Sequence, residues 1–413
     1  ICHMPMARYL SKLAGHEGAL FANLPPAPGM PGNPVATDGV SCSLCHQISQ
    51  QKLGTRESYV GGFVIEQPGS AGDSRAYGPF TVDAGRARVM RSSSGFTPTE
   101  SKHIRQSEVC ATCHTLFTHA LGPQGEAVGE LPEQTPYLEW LASDFKATRS
   151  CQNCHMPRVG APVHISSVLG QPREDVSRHE FLGGNFFMQR LLNRYRNELG
   201  VIALPQELES GAVRTLKHLE TEAARISIAS IEVQAGRLEA EISVENLSGH
   251  KLPTAYPSRR VWLHVTVMDR DGKVLFESGA VDARGAIAGN DNDVDGSRYE
   301  PHYDRIDSAG QVQIYETVMA DSAGALTTGL LRGVRYIKDN RLLPRGFDKR
   351  SAGRDVAVEG AAAADGNFTG GGDRVRYSVD VSGAQGPYRL EAELRYQSIA
   401  FRWAANLRQY DSA

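Results

Sequence analysis

"CATCH" at 110–114 has two close counterparts in the chain, "CSLCH" at 42–46 and "CQNCH" at 151–155. Each reads C-x-x-C-H. On a helical turn, positions i, i+3 and i+4 share one face. Two thiols and an imidazole are then offered together. This is the attachment pattern of c-type haem, in which the thiols add to the two porphyrin vinyl groups and the His reaches the iron from the same side. Zinc would need such pairs combined into four-ligand sets. It gives no reason for a His after every second Cys.

The chain has seven cysteines, Cys2, Cys42, Cys45, Cys110, Cys113, Cys151 and Cys154. An odd count ordinarily signals a free thiol or an intermolecular bridge. Here "CHMP" at 2–5 repeats as "CHMP" at 154–157. Cys2 therefore reads as the second Cys of a fourth motif whose first Cys lies before Ile1. The alternative is a lone structural cysteine. About four haems c are expected, with His3, His46, His114 and His155 as proximal ligands. Of the 13 histidines, nine remain for the opposite face of each iron. Supply exceeds demand, which favours six-coordinate haems over open ones.

Local context ranks the nine. His179 lies in "SRHEFLGGNFF" (177–187), where aromatics and glycines suit close packing on a porphyrin. His250 lies in the turn "NLSGHKLPTAYP" (246–257). His103 and His119 bracket the CATCH motif, and His16 follows the first half-motif. These five are the candidate distal ligands, with His302 in "YEPHYD" behind them. His264, His218 and His164 read as structural or undistinguished.

The remaining composition is that of an ordinary globular chain: 413 residues, 40% hydrophobic, 22% charged, net charge −3. It lacks the basic footprint of a nucleic-acid binder. No apolar run approaches the roughly 18 residues of a membrane span. The fold expected is α+β and multidomain. Residues 1–180 form a helical, irregular multihaem domain, and 181–225 form a helical connector. Residues 226–413 form an antiparallel β-sandwich of Ig-like type, interrupted by an irregular stretch at about 281–353. The last rests on period-two runs such as "LEAEISVEN" and "RVWLHVTVMD", with "DRDGK" (269–273) as a hairpin turn. Helices are expected from "NFFMQRLLNRYRNEL" (185–199) and from about Gln206 to Ala224. In the irregular stretch, "DNDVDG" places Asp291, Asp293 and Asp295 at alternate positions before a Gly, as in a calcium loop. The twelfth position, however, is His302 rather than Glu.

With these motifs in place, the chain resembles multihaem cytochromes c. "GVSCSLCHQI", "SEVCATCHTLFTH", "EQTPYLEWLASDF" and "SCQNCHMP" are similar to the tetrahaem class related to the electron acceptor of hydroxylamine oxidation. "SRHEFLGGNFF" and "GHKLPTAYPSRRVWLHV" resemble bacterial cytochromes that append a β-domain. That resemblance implies distal-ligand roles for His179 and His250. The catalytic relatives carry a C-x-x-C-K haem site, which this chain lacks, so the resemblance implies electron transfer rather than catalysis. The partners expected are other redox proteins, extracellular acceptors or further copies in a filament, and the location periplasmic or extracellular. Two alternatives stay open: an oxidoreductase with one open iron, and a haem relay serving a β-domain binding module.

Overall fold

The computed structural model describes residues 2–16, 23, 32–67 and 74–408. Helices and several small sheets form two compact units, one of Ile1–Thr115 with Arg149–Leu216, the other of Leu116–Thr148 with Lys217–Ala413. This division is not a single cut near residue 180. Segment 116–148, between two of the haem motifs, packs with the later chain for a local reason. It forms an antiparallel hairpin, Leu116–Leu121 with Ala127–Gln134. The hairpin joins the second unit through Leu121 N–H to the Leu331 carbonyl (2.7 Å) and Tyr336 hydroxyl to the Pro132 carbonyl (3.1 Å).

The first unit is built of short helices. Cys151–His155 carries the third complete motif and Cys42–Cys45 the first up to its capping His46, while Ser107–Ala111 leads into the second, whose Cys113 and His114 lie just past its end. A parallel pair, Arg75–Gly78 with Thr97–Glu100, is bridged by the helix Ala84–Ser94. That helix is capped by Asp83, whose carboxylate accepts from Arg86 N–H (3.0 Å), and stopped by Gly95 at φ 77°. Helix Phe186–Arg194 has an apolar stripe but buries none of its residues. Such a helix ordinarily owes its stability to a covered apolar face.

The second unit holds the large core. Its main strands are β1 (Ala224–Gln234), β2 (Arg237–Asn246), β3 (Arg260–Met268), β4 (Val274–Ser278), β5 (Arg305–Ile306), β6 (Ile314–Tyr315), β7 (Gly372–Asp380) and β8 (Arg389–Gln397). One sheet runs β5-β7-β2-β1. In the other, β8 pairs with β3 along its whole length, and β4 and β6 also pair with β3. All pairs are antiparallel except β5 with β7. The period-two pattern does what it should. Leu238, Ala240, Ile242 and Val244 of β2, and Val261, Leu263, Val265 and Val267 of β3, share one buried cluster with Val375, Tyr377 and Val379 of β7. Each large aliphatic side chain there contributes about 1.5–3 kcal/mol by leaving water. The β1–β2 turn uses Ala235 (φ 51°) and Gly236 (φ 77°), two successive left-handed residues suited to a two-residue hairpin. The β3–β4 turn falls at the expected DRDGK, where the Asp269 carboxylate accepts from Asp271 N–H (2.9 Å).

The stretch 281–353 is more ordered than its sequence suggests. Thr317–Ala320 pairs with Leu326–Thr327 and Arg335–Asp339 in a three-stranded sheet. Ile287, Val312 and Ile314 from the same stretch form a second small cluster with Trp262. The Trp262 indole donates to the Gly279 carbonyl (2.9 Å). The insertion thus covers the face of β3 turned away from the main core.

Candidate haem centres

Each complete motif is a single helical turn. His46 N–H donates to the Cys42 carbonyl (3.1 Å), and His114 N–H to the Cys110 carbonyl (2.9 Å). The third turn starts at Ser150, which exchanges capping bonds with Asn153. Ser107 Oγ accepts from Cys151 N–H (3.1 Å), and the Gln152 amide donates to the Gln106 carbonyl (2.8 Å), so the second and third motifs are fastened together.

The imidazoles show their protonation through their partners. A carbonyl oxygen only accepts, so a ring nitrogen bonded to it carries the proton. His46 Nδ1 donates to the Tyr77 carbonyl (2.5 Å), and His155 Nδ1 donates to the Leu182 carbonyl. In both, the Nε2 lone pair is the one left to bind metal, and the ring orientation is fixed. The His179 ring lies with its centroid 6.3 Å from that of His46, the planes tilted by 36°. Two metal–nitrogen bonds of about 2 Å, with about 1 Å from each nitrogen to its ring centre, put centroids roughly 6 Å apart. The pair therefore has the spacing of two axial imidazoles on one iron. Phe181 packs edge-on to His179 at 5.8 Å. Sequence context singled out His179. The carbonyls that orient His46 and His155 are backbone atoms and leave no sequence signal.

The other candidates fall elsewhere. His103 is buried, with Nε2 donating to the Ile48 carbonyl (2.8 Å) and Nδ1 accepting from the Ser101 hydroxyl (2.6 Å). Both of its ring nitrogens are thus engaged by protein groups, and it braces the Ile48 and Ser101 segments. His119 is exposed on the hairpin of the second unit, 3.9 Å from Glu130. His3, His16 and His114 are exposed. His264 lies between Glu277 (2.9 Å) and Glu393 (3.3 Å), and His218 lies 3.4 Å from Glu222. His164 donates from Nδ1 to the Gly170 carbonyl at 3.1 Å.

His302 forms a buried group with Asp365 and Asp373, which converge closely enough for a metal ion. The amide orientations decide against one. Gln313 Oε1 accepts from Tyr303 N–H (2.9 Å), which turns Gln313 Nε2 toward His302 Nδ1 (2.8 Å). Nδ1 must then accept, and Nε2 donates to Asp365 (3.0 Å). Burial lowers the pKa of this imidazole and keeps it neutral despite the carboxylates.

His250 is different. Its Nδ1 donates to the Lys251 carbonyl (2.9 Å), the same tautomer as His46 and His155. Its loop is clamped by a buried charge network in the second unit. Lys251 Nζ meets Asp339 at 2.7 Å, and Arg341 meets Asp339 at 2.7 Å and Glu139 at 2.9 Å. Glu139 also accepts from Lys251 N–H (3.1 Å) and the Thr254 hydroxyl (2.6 Å). The segments "EQTPYLEWLASDF" and "GHKLPTAYP" are thus one assembly. The Tyr137 and Trp140 rings in this assembly stack on each other at 5.6 Å. Gly249 packs on both Trp140 and Phe145, where a Cβ would lie in van der Waals contact at 3.4 Å.

The Asp291, Asp293 and Asp295 side chains, expected to share a calcium ion, point to separate partners. Asp293 is buried and takes the Arg260 guanidinium with both oxygens, at 2.9 Å each. Asp291 pairs with Arg298 (2.5 Å), and Asp295 accepts from Ser297 N–H (2.9 Å). The three carboxylates serve three different partners and do not converge on a cation. Adding calcium or EGTA is expected to leave the melting temperature unchanged. A calcium-dependent rise of several degrees would contradict this.

The cysteines of different motifs lie together. Among the described residues none is in a disulfide. Cys2 Sγ lies against Cys113 and donates to its carbonyl (3.9 Å), and the Cys110 and Cys151 side chains are close enough to interact. These contacts lower the pKa of Cys113 and Cys151, while Cys110 is raised first by its contact with Cys151 and then by burial. Burial raises Cys45, with Cys113 close enough to add to the effect. The attachment points of neighbouring motifs are therefore side by side.

No family model matches the chain, and no curated protein matches it. Among solved structures it is similar to a penta-heme cytochrome c552 from Thermochromatium tepidum. The two share 16% identity over 91% of this chain and 73% of that one, with a TM-score of 0.49. Among the described residues, no helix is long and apolar enough to cross a membrane.

Proposed function

We propose that this chain is a multihaem c-type cytochrome that relays electrons outside the cytoplasm. The observation that carries the reading is the His46–His179 pair beside a C-x-x-C-H turn, with His46 Nδ1 already committed to the Tyr77 carbonyl. Three haems belong to Cys42, Cys45 and His46, to Cys110, Cys113 and His114, and to Cys151, Cys154 and His155. Cys2 and His3 belong to a fourth. His179 is the distal donor opposite His46, and His250 is a further imidazole donor. Haem c, when bound, supplies a reversible one-electron iron couple.

The protein's own part is to hold and to tune. Thioether attachment fixes the group covalently. The Nδ1–H bonds hold the imidazole planes and make Nε2 a stronger donor. An imidazole on each face closes the iron to small ligands, which suits electron transfer and opposes catalysis. The side-by-side thiols of different motifs favour short electron paths. Helix Phe186–Arg194, which buries nothing in the polypeptide alone, suits a unit whose apolar core includes porphyrin. Partners of this reading are other redox proteins, extracellular acceptors, or further copies meeting end to end as a filament. The neighbour order β7-β2-β1 in one antiparallel sheet and the β3–β8 pair in the other support an Ig-like reading of residues 226–413.

Pyridine haemochrome analysis of the matured protein tests this. At least three covalent haems per chain are expected, with a low-spin spectrum insensitive to carbon monoxide. Fewer than three haems, or zinc in their place, would overturn the reading. A strong carbon monoxide response would favour an oxidoreductase with an open iron.

A further inference from the structure

The sandwich of the second unit is uneven at one side. In β1, Ile226, Ile228, Ile231 and Val233 stand opposite Val244, Ile242, Ala240 and Leu238 of β2. Directly opposed residues point to the same face of a sheet. Those β2 residues are fully inside the core. Yet Ile228, Ile231 and Val233 are 44%, 48% and 52% exposed. They face inward; β8 of the opposing sheet comes close to β1 over part of its length and half-buries Ile226, but leaves these three uncovered. The opposing sheet ends at β8, whose Leu390, Ala392 and Leu394 are partly buried against the core. Among the described residues, β8 pairs with β3 alone. Both sheets thus stop at open edges along the same flank, and a strand laid beside β8 would cover the exposed apolar residues of β1.

We propose that a second copy of this chain covers this flank, with β8 pairing antiparallel to β8 of the other copy about a two-fold axis. An isologous contact requires a self-complementary surface. The sequence of β8, RLEAELRYQ, is one. Its outward side chains are Arg389, Glu391, Glu393, Arg395 and Gln397, alternating with the apolar residues. Centred on Leu394, the pairing sets each Glu393 opposite Arg395 of the other copy, and each Glu391 opposite Gln397. No like charges then face each other directly. On the inner side, Leu394 meets its own counterpart and Ala392 meets Tyr396. Among the described residues of the single chain, Arg395 reaches its own neighbour Glu393 (2.6 Å), which also meets His264 (3.3 Å), and both Arg395 and Glu393 remain partly open to solvent. Long apolar edges are normally blunted by an inward charge or a proline. The β1 residues listed above include neither, so the flank is suited to burial and not to solvent.

Sedimentation equilibrium of the full haem-loaded chain tests the proposal. A dimer is expected at micromolar concentration. Glu393→Arg should weaken it at least tenfold, and adding Arg395→Glu in the same chain should restore it, because the opposed pair is then reversed in sign. Both positions are on the surface, and an unchanged Soret spectrum with an unchanged melting temperature shows that the fold is intact. Ile231→Asp with Val233→Asp should give monomers. A wild-type chain that stays monomeric, or a dimer indifferent to all of these changes, overturns the proposal.

Discussion

A His179→Ala protein is expected to show one additional high-spin iron that binds carbon monoxide, with the haem content of the parent unchanged. The expectation follows from the division of labour at the first complete motif. Cys42, Cys45 and His46 lie on one side and would keep the group attached. His179 stands on the other, with the ring spacing of a second axial ligand. On the proposed reading, removing it would open a space the size of an imidazole opposite His46, so added free imidazole should restore the low-spin spectrum. His103→Ala supplies the contrast. Its Nε2 proton is bonded to the Ile48 carbonyl, and its loss removes a brace worth about 1–3 kcal/mol as unsatisfied buried groups. The melting temperature should fall while the spin state stays as it was. A high-spin iron from His103→Ala and none from His179→Ala would reverse the two assignments.

The second large effect concerns Asp339. Lys251 and Arg341 contribute two positive charges to the buried network, and Glu139 and Asp339 two negative ones. Asp339→Ala leaves one uncompensated positive charge where water cannot reach. Breaking a buried pair in this way costs about 3–5 kcal/mol, which is roughly 10 °C in melting temperature for a unit of this size. Lys251, whose pKa burial already lowers, would then shed its proton. The network also sets an acid limit. Burial pushes the Asp339 carboxyl up, but Arg341 and Lys251 outweigh it and hold it at about 2. An unfolded Asp titrates near 3.9. The stabilisation is therefore present above about pH 4 and lost as pH falls toward 2, on the order of 2–3 kcal/mol in all. Acid titration followed by circular dichroism should show this loss in the parent and not in Asp339→Ala. Equal slopes in the two proteins would mean that other carboxylates govern acid unfolding.

The parts of this molecule written in short-range code were legible in its sequence. Cys42 to His46 is one helical turn, so spacing alone assigned it. The alternation in β2 and β3 announced buried strands, and Asp-Gly in DRDGK announced their turn. The hairpin 116–134 was missed because its register shifts at two places, which breaks the period of two. The sheet of Thr317–Asp339 was missed because its strands are short and one is bulged. Histidines were the hardest. His179 and His103 both sit near motifs, and only the structure shows that the first lies beside His46 while the second is tied to Ser101 and Ile48. Asp293 looked like a calcium ligand because nothing local reveals that Arg260, thirty-three positions away, comes to meet it.

The nearness of the thiols has a consequence for how this protein is made. Cys2 lies against Cys113, and Cys110 against Cys151, each pair drawn from different motifs. In an oxidising compartment such neighbours are prone to join as disulfides. A chain that reached this fold before receiving its cofactors would risk sealing its own attachment sites with the wrong bonds. Thiols with lowered pKa, such as Cys113 and Cys151, would react soonest. If these motifs carry haem as proposed, reduction and haem addition would come first on an open chain, and final folding around the attached groups afterwards.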